Sequence, residues 1–284
     1  MTNNSGLRPS LLEGFPPQSL YTIICYSHTD YLDILNVQNS YLQQYPEEKI
    51  LFINENSMKH TPEFMNATSC FQQIIYYNDS LNYSKRLFTS LKNSIIKTKH
   101  VIFFHDMDIL YQKKHENILK IIDIMNINNI NRVDFQNWYN ETVFNDIILA
   151  FDNVTIRKTL NDSYYYNVNP AIWELECFLD LMNNIDKNYR EIEFEETQVY
   201  CKSKYNFYRL FDETNIKFTI LYRCTDTFIP FHISNWHTLV NPYSKLNYKG
   251  NDHHFDEEYI NEYIKILNTF KFNPNRKMHS VTVY

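Results

Sequence analysis

Glycine is nearly absent from this chain. Its three glycines in 284 residues, Gly6, Gly14 and Gly250, provide no run from which a Walker-type or G-x-G-x-x-G phosphate loop can be drawn. That excludes most kinases, P-loop ATPases and classical dehydrogenases. Cysteine is sparse as well: Cys25, Cys70, Cys177, Cys201 and Cys224 are odd in number and never spaced Cys-x-x-Cys. Such usage argues for free thiols in a reducing, cytoplasmic compartment rather than for disulfides or zinc. No apolar run approaches the roughly 20 residues of a membrane span, and the polar start of the chain, with Pro9, Pro16 and Pro17, lacks the charged-then-apolar layout of a signal peptide. Positive charge is not in excess. With 27 Lys and Arg against 33 Asp and Glu, the net charge of −6 gives no global attraction to nucleic acid or to an anionic membrane. A small ligand is the expected partner.

What the chain has is apolar and aromatic mass. Hydrophobic residues make up 44% of it, enough for a sizeable core, with 23 Tyr and 20 Phe. The abundance of Asn, Ile, Lys and Tyr reads as coding from an AT-rich genome, and the sequons at Asn66, Asn78 and Asn140 as its by-product. Residues 1–19 are expected to form a leader arm and residues 20–284 one domain, with halves at 20–111 and 112–284.

The first half alternates strand and helix signals. Tyr21 to Tyr26 is a β-rich run closed by Ser27-His28-Thr29-Asp30, which can cap a helix reaching about Gln44. Lys49 to Ile53 and Gln73 to Tyr77 read as strands, and Leu87, Leu91 and Ile95 recur at helical spacing between Tyr83 and about Lys97. The pattern predicts βαβ units in an α/β fold with a mostly parallel, Rossmann-like sheet flanked by helices. Further on, Glu116 to Met125 is helix-like, Arg132 to Phe135 and Ile147 to Phe151 are strand-like, and Phe178, Leu181 and Met182 mark a helix. Ile216 to Tyr222 and Thr227 to Ile233 read as late strands, and Asp256 to Thr269 as a terminal helix.

The segment with most chemical content is Val101-Ile102-Phe103-Phe104-His105-Asp106-Met107-Asp108. A short, uniformly apolar run reads as a strand buried on both faces. It delivers two carboxylates in an Asp-x-Asp spacing at its C-terminal end, where open α/β sheets place their ligands. Carboxylate oxygens suit Mg²⁺ or Mn²⁺, ions that typically bridge one or two protein carboxylates to substrate phosphates. The competing reading is a solvated acid pair in a turn.

Together with Tyr83-Ser84-Lys85-Arg86-Leu87, Asn169-Pro170-Ala171-Ile172-Trp173 and Ile192-Glu193-Phe194-Glu195, this segment resembles GT-A-fold, DxD-containing glycosyltransferases of bacteria and large DNA viruses. The resemblance implies a GT-A-like sheet, a nucleotide-diphosphate sugar such as a UDP- or GDP-sugar as donor, and a glycan or other hydroxyl as acceptor. It implies that Asp106 and Asp108 hold Mn²⁺ or Mg²⁺ against the donor diphosphate, that the Tyr83–Arg86 element lies near the donor, and that the Pro-Ala-Ile-Trp segment lies near the acceptor. The chain departs from the pattern at His105, and the late Gly-Lys-Trp signature survives only as Ser234-Asn235-Trp236.

Each further candidate has two readings. Arg86 either neutralises phosphate or is an exposed helix arginine; Tyr26, His28 and Asp30, following the first strand, contact the nucleoside or serve as core and cap. Asn54 and Glu55 end the second strand as nucleoside contacts or as loop residues. Trp173 is either a sugar platform or core. Among Glu193, Glu195 and Glu196, one carboxylate can act as the base that takes the acceptor proton, and Glu195 is favoured by the resemblance; the alternative is a charged helix start. His232 and His237 are candidates for a third metal ligand, and His253-His254 reads as a surface pair. Two other functions stay open: a GT-A scaffold that binds without turnover, and a DxD phosphohydrolase. The latter is disfavoured because Leu110 occupies the position where that motif needs Thr or Val.

Overall fold

A computed structural model describes residues 20–106, 108–110, 115–135, 147–151, 154–159, 165–212, 230–232 and 264–274. In chain order the elements are β1 (Tyr21–Tyr26), α1 (Leu32–Leu42), β2 (Lys49–Asn54), α2 (Pro62–Ala67), β3 (Gln73–Tyr77), α3 (Tyr83–Asn93), β4 (His100–His105), β5 (Asp108–Leu110) and α4 (His115–Asn128). They continue with β6 (Arg132–Asp134), β7 (Ile147–Phe151), β8 (Val154–Lys158), β9 (Ala171–Glu174), α5 (Leu175–Asn184), α6 (Glu195–Lys204), β10 (Phe207–Asp212) and β11 (Pro230–His232). A short 3₁₀ turn, Thr29–Tyr31, leads into α1.

Nine strands form one sheet in the order β3-β2-β1-β4-β9-β6-β10-β8-β7, and β5 pairs with β11 apart from it. The pairs β3·β2, β2·β1, β1·β4 and β6·β10 are parallel, while β9 and β8 run against their neighbours. All strands of this sheet except β9 and β8 therefore point the same way, giving the α/β, mostly parallel and Rossmann-like architecture expected from the sequence. Strands β9, β6 and β10 of the second half extend the sheet begun by the first.

The continuous apolar strands are needed because helices cover both faces. Along β4, Ile102 and Phe104 join α1, α2 and α4 through Leu35, Phe64 and Ile121. Val101 and Phe103 face the other way, onto Leu87 of α3, Phe178 of α5 and Cys201 of α6. Successive strand residues alternate between faces, so a run apolar at every position fills two cores at once.

Caps fix the helix starts near the strand ends. The Asn82 side chain accepts from the Lys85 N–H at 3.0 Å and starts α3; Thr61 caps α2 ahead of Pro62 at its first position. The strand expected at Ile216 to Tyr222 and the leader arm lie outside the described residues, as do Cys224, Trp236, His237 and His253-His254. Of the two other late elements, residues 230–232 are a strand and residues 264–269 are helical. Cys25, Cys70, Cys177 and Cys201 are buried free thiols, and no helix among the described residues is long and apolar enough to cross a membrane.

Candidate active site

Strand β1 lies between β2 and β4, and the crossovers leave to opposite faces of the sheet: α1 packs in one core and α3 in the other. The β1/β4 boundary is therefore the switch point, and the carboxyl ends of strands at such a point are where open α/β sheets place their ligands. Tyr26, the last residue of β1, stands opposite His105, the last of β4. The Asp106 N–H continues the ladder by donating to the Tyr26 carbonyl at 2.9 Å.

Asp106 and Asp108 are 7% and 6% exposed, so they are not a solvated turn. Ser27, directly after β1, donates its hydroxyl to Asp106 Oδ2 at 2.7 Å. Ser27 is itself held, its N–H donating to the Phe52 carbonyl and its carbonyl accepting from the Tyr77 hydroxyl at 2.7 Å. Burial pushes the Asp108 carboxyl up to about 8, the negative Asp106 adds to this, and a backbone hydrogen bond at His105 opposes it. Two buried carboxylates that resist ionising together are a set of hard oxygen donors whose repulsion a divalent cation would offset. The residues present thus fit Mg²⁺ or Mn²⁺. Among the described residues no three His, Cys, Asp or Glu gather around one point. The β5·β11 pairing does set His232 opposite Asp108 in register.

An aromatic wall borders the acids. Tyr26 stacks on Tyr77 with centroids 5.0 Å apart and meets Tyr83 and His105 edge-on at 5.4 and 5.6 Å. The Tyr83 hydroxyl lies 2.7 Å from His105 Nε2. Tyr189 is edge-on to both Tyr83 and His105, at 5.1 and 5.4 Å, and 36% exposed. Burial raises its hydroxyl pKa, and the charges of Asp108, Glu193 and Asp106 add to the effect. Tyr189 therefore lies within electrostatic reach of the acid pair and of Glu193 together.

Arg86, in the first turn of α3, is built into this wall. Its Nη1 is 3.1 Å from Asp79 Oδ1, its Nε donates to the Leu81 carbonyl at 2.7 Å, and its guanidinium lies 5.3 Å from the Tyr77 ring centroid. His28 Nδ1 accepts the Asp30 N–H at 3.1 Å, and its Nε2 lies 3.4 Å from Asp79 Oδ2. Asp79 thereby joins His28 to Arg86.

Several sequence candidates fall elsewhere. Asn54 is a strut: its Oδ1 accepts the Thr29 N–H at 2.8 Å and its Nδ2 donates to Thr29 Oγ1 at 3.2 Å, which leaves little for a nucleoside. The Asp30 side chain is 83% exposed, in keeping with a turn residue. Trp173 is 2% exposed, stacked on Phe178 at 4.8 Å with the Arg132 guanidinium 4.7 Å from its ring centroid. Both faces are taken and no sugar can lie on it. Glu195 opens α6 on the exposed surface, and Glu196 is exposed and paired with Lys187. Lys187 holds the Glu196 carboxyl below the usual range. Glu193 alone of the three is partly buried; its Oε1 accepts the Val168 N–H at 2.7 Å, and burial raises its pKa.

Sequence reasoning passed over Gln38, Tyr77, Asp79 and Tyr189, and read Ser27 only as a cap. Ser27 and Tyr77 were detectable as residues at strand ends. Nothing in the local pattern marks Gln38 or Tyr189, which reach the site from a helix and from the turn before α6.

Fold and site together define an α/β, Rossmann-like protein with a buried carboxylate pair at its switch point. No protein-family model matches the chain, and no curated protein sequence does. Solved structures similar to it include 4-diphosphocytidyl-2C-methyl-D-erythritol synthase from Anaerococcus prevotii, at 14% identity and TM-score 0.40, over 67% of this chain and 86% of that one. S. aureus TarS 1-349 in complex with UDP-GlcNAc matches at 12% identity and TM-score 0.42, over 67% of this chain and 56% of that one. HddC from Yersinia pseudotuberculosis matches at 12% and 0.42, over 68% and 93%.

Proposed function

We propose that the protein is a divalent-cation-dependent glycosyltransferase that moves a sugar from a nucleoside-diphosphate sugar to a hydroxyl acceptor. The observation that carries this reading is the pair Asp106 and Asp108, both buried at the β1/β4 switch point, with Asp106 held by the Ser27 hydroxyl and the Tyr26 carbonyl.

In this reading Asp106 and Asp108 hold Mn²⁺ or Mg²⁺. The ion supplies Lewis-acid stabilisation of the charge that develops on the departing diphosphate. Ser27 keeps Asp106 oriented through Oδ2, so that one carboxylate oxygen is committed to the protein. Tyr26, Tyr77 and Arg86, beside the strand ends, line the nucleoside side of the crevice, with His28 and Asp79 at its edge. Glu193 is the base: it is the only one of the three candidate acids that is partly buried, and its raised pKa brings it nearer the range useful for taking a hydroxyl proton. Tyr189, edge-on to Tyr83 and His105 and within electrostatic reach of Glu193 and the aspartates, would lie near the acceptor hydroxyl.

The test is thermal. UDP or GDP should raise the melting temperature of the wild-type protein with Mn²⁺ or Mg²⁺ present and not in EDTA, and Asp108→Asn should abolish the shift. Equal stabilisation in EDTA would overturn the role of the acids. With Mn²⁺, a panel of nucleotide sugars should then show release of the nucleoside diphosphate.

A further inference from the structure

Helix α1 reaches across its own core to the acid pair through one side chain. Gln38 is fully buried, and its Nε2 donates to the main-chain carbonyls of both Asp106 and Asp108, at 2.7 and 2.5 Å. The orientation of this amide is not arbitrary. Reversing it would set Oε1 against two carbonyl oxygens, whereas as placed both hydrogens of one NH₂ group are satisfied. The opposite end, Oε1, is buried with no hydrogen-bond partner among the described residues. An orphaned buried oxygen is unfavourable, so the position is held by what Nε2 does rather than by what the whole amide gains.

We propose that Gln38 is the positioning residue of the metal site, a clamp that fixes the backbone separation of Asp106 and Asp108. The inference rests on the metal reading given above. The two carbonyls belong to residues two apart, so one amide that bonds both sets the distance between them. Asp106 is restrained at its other end by the N–H bond to the Tyr26 carbonyl and on its side chain by Ser27. Asp108 opens β5, whose pairing with β11 is only three residues long. Gln38 is thus the tie between the short second sheet and the rigid β1–β4 ladder. Two like charges held close and dry would otherwise drift apart, and a cation site is worth little unless its ligands are held at the ion's spacing. The residue touches no reacting atom; it acts through the two acids.

The variants are Gln38→Met, which keeps length and volume without donors, and Gln38→Glu, which keeps shape and sets carboxylate oxygens against the carbonyls. Two measurements are made on the full-length protein: amide hydrogen exchange at Asp106 and Asp108, and Mn²⁺ titration in the presence of UDP. Freeing the two carbonyls should let this segment open locally more often, which should speed exchange at the two amides by about tenfold or more although their own N–H partners are unchanged. The Mn²⁺ dissociation constant should rise by about 10-fold to 100-fold, as for outer-shell partners of metal ligands elsewhere. Turnover at saturating Mn²⁺ should stay near wild type, so that the change falls on KM for the metal and not on kcat. Exchange and Mn²⁺ affinity both within twofold of wild type in a folded variant would overturn the clamp. If Gln38→Met fails to fold, Gln38→Glu decides the same two quantities. Wild-type protein that binds no Mn²⁺ would instead overturn the metal reading, and the exchange measurement would still decide whether Gln38 clamps the turn.

Discussion

At the residue scale, the site depends on which acids are dry. Among Glu193, Glu195 and Glu196 the resemblance favours Glu195, yet Glu193 is partly buried with its carboxylate on the Val168 N–H, Glu195 is exposed, and Glu196 is paired with Lys187. Exposure decides basicity here, because burial disfavours the charged form and lifts the pKa toward the working range. Glu193→Gln is therefore expected to lower the transfer rate by about 10² or more, with donor affinity nearly unchanged. Glu195→Gln should leave the rate within about threefold of wild type, since an exposed helix-start acid has little to lose. Steady-state kinetics on both variants check the pair, and the reverse ranking would return the base role to Glu195.

At the scale of elements, β4, which leads to the acid pair, also carries a pH liability. Its first residue, His100, is 2% exposed, and burial, with the neighbouring Lys99 charge adding, pushes its pKa down to about 4. The folded state then holds the imidazole neutral, while the unfolded chain takes up the proton below its ordinary value of about 6.5. The unfolded state binds more protons in that window, so stability falls as pH drops from about 6.5 to about 4, by up to about 3 kcal/mol. Replacing His100 with Gln should flatten the difference between urea-unfolding free energies measured at pH 7 and pH 4.5 by a large part of that amount. An unchanged pH slope would show that His100 is not its source. Just past the far end of the strand the same physics acts with the opposite sign: burial pushes the Asp108 carboxyl up as it pushes the His100 imidazole down.

At the scale of the molecule, the second half is held together by charges inside the sheet as well as by apolar packing. Arg132 and Asp134 of β6 and Arg209 of β10 are all at most 1% exposed; Arg132 pairs with Asp134, and Arg209 Nε lies 3.2 Å from Asp134 Oδ2. Asn167 completes the cluster, donating to Asp134 Oδ2 at 2.8 Å while accepting from Arg132. The Arg132 guanidinium also packs against the rings of Trp173, Tyr166 and Phe207. Removing Asp134 would take from two buried cations the acid that both pair with, so Asp134→Ala is expected to destabilise by about 3–5 kcal/mol. Equilibrium urea denaturation followed by far-UV circular dichroism measures this, and a loss under about 1 kcal/mol would mean that the cluster is not relied upon. The same cluster explains Trp173: a large ring on a strand beside a buried guanidinium is needed as its apolar and cation–π cover, which a sugar platform could not supply.

Much of the architecture was legible because it is local. Apolar runs of five or six residues, separated by polar strand ends and helical spacing, dictate β1, β2, β3 and β4 and the crossovers between them, and the buried pair Asp106 and Asp108 follows from where such a strand must stop. Strands β8 and β10 were not legible: polar and charged residues interrupt them, and only the tertiary structure shows that Arg157 and Arg209 are buried there. The site divides the same way. Residue type and spacing determined that two carboxylates arrive together at the end of a dry strand. Only the folded chain decided that Asn54 is spent on Thr29, that Glu193 and not Glu195 is partly buried, and that Gln38 and Ser27 hold the acids. Desolvation and hydrogen-bond partnership are set by groups as many as 79 positions away, and no window of sequence contains them.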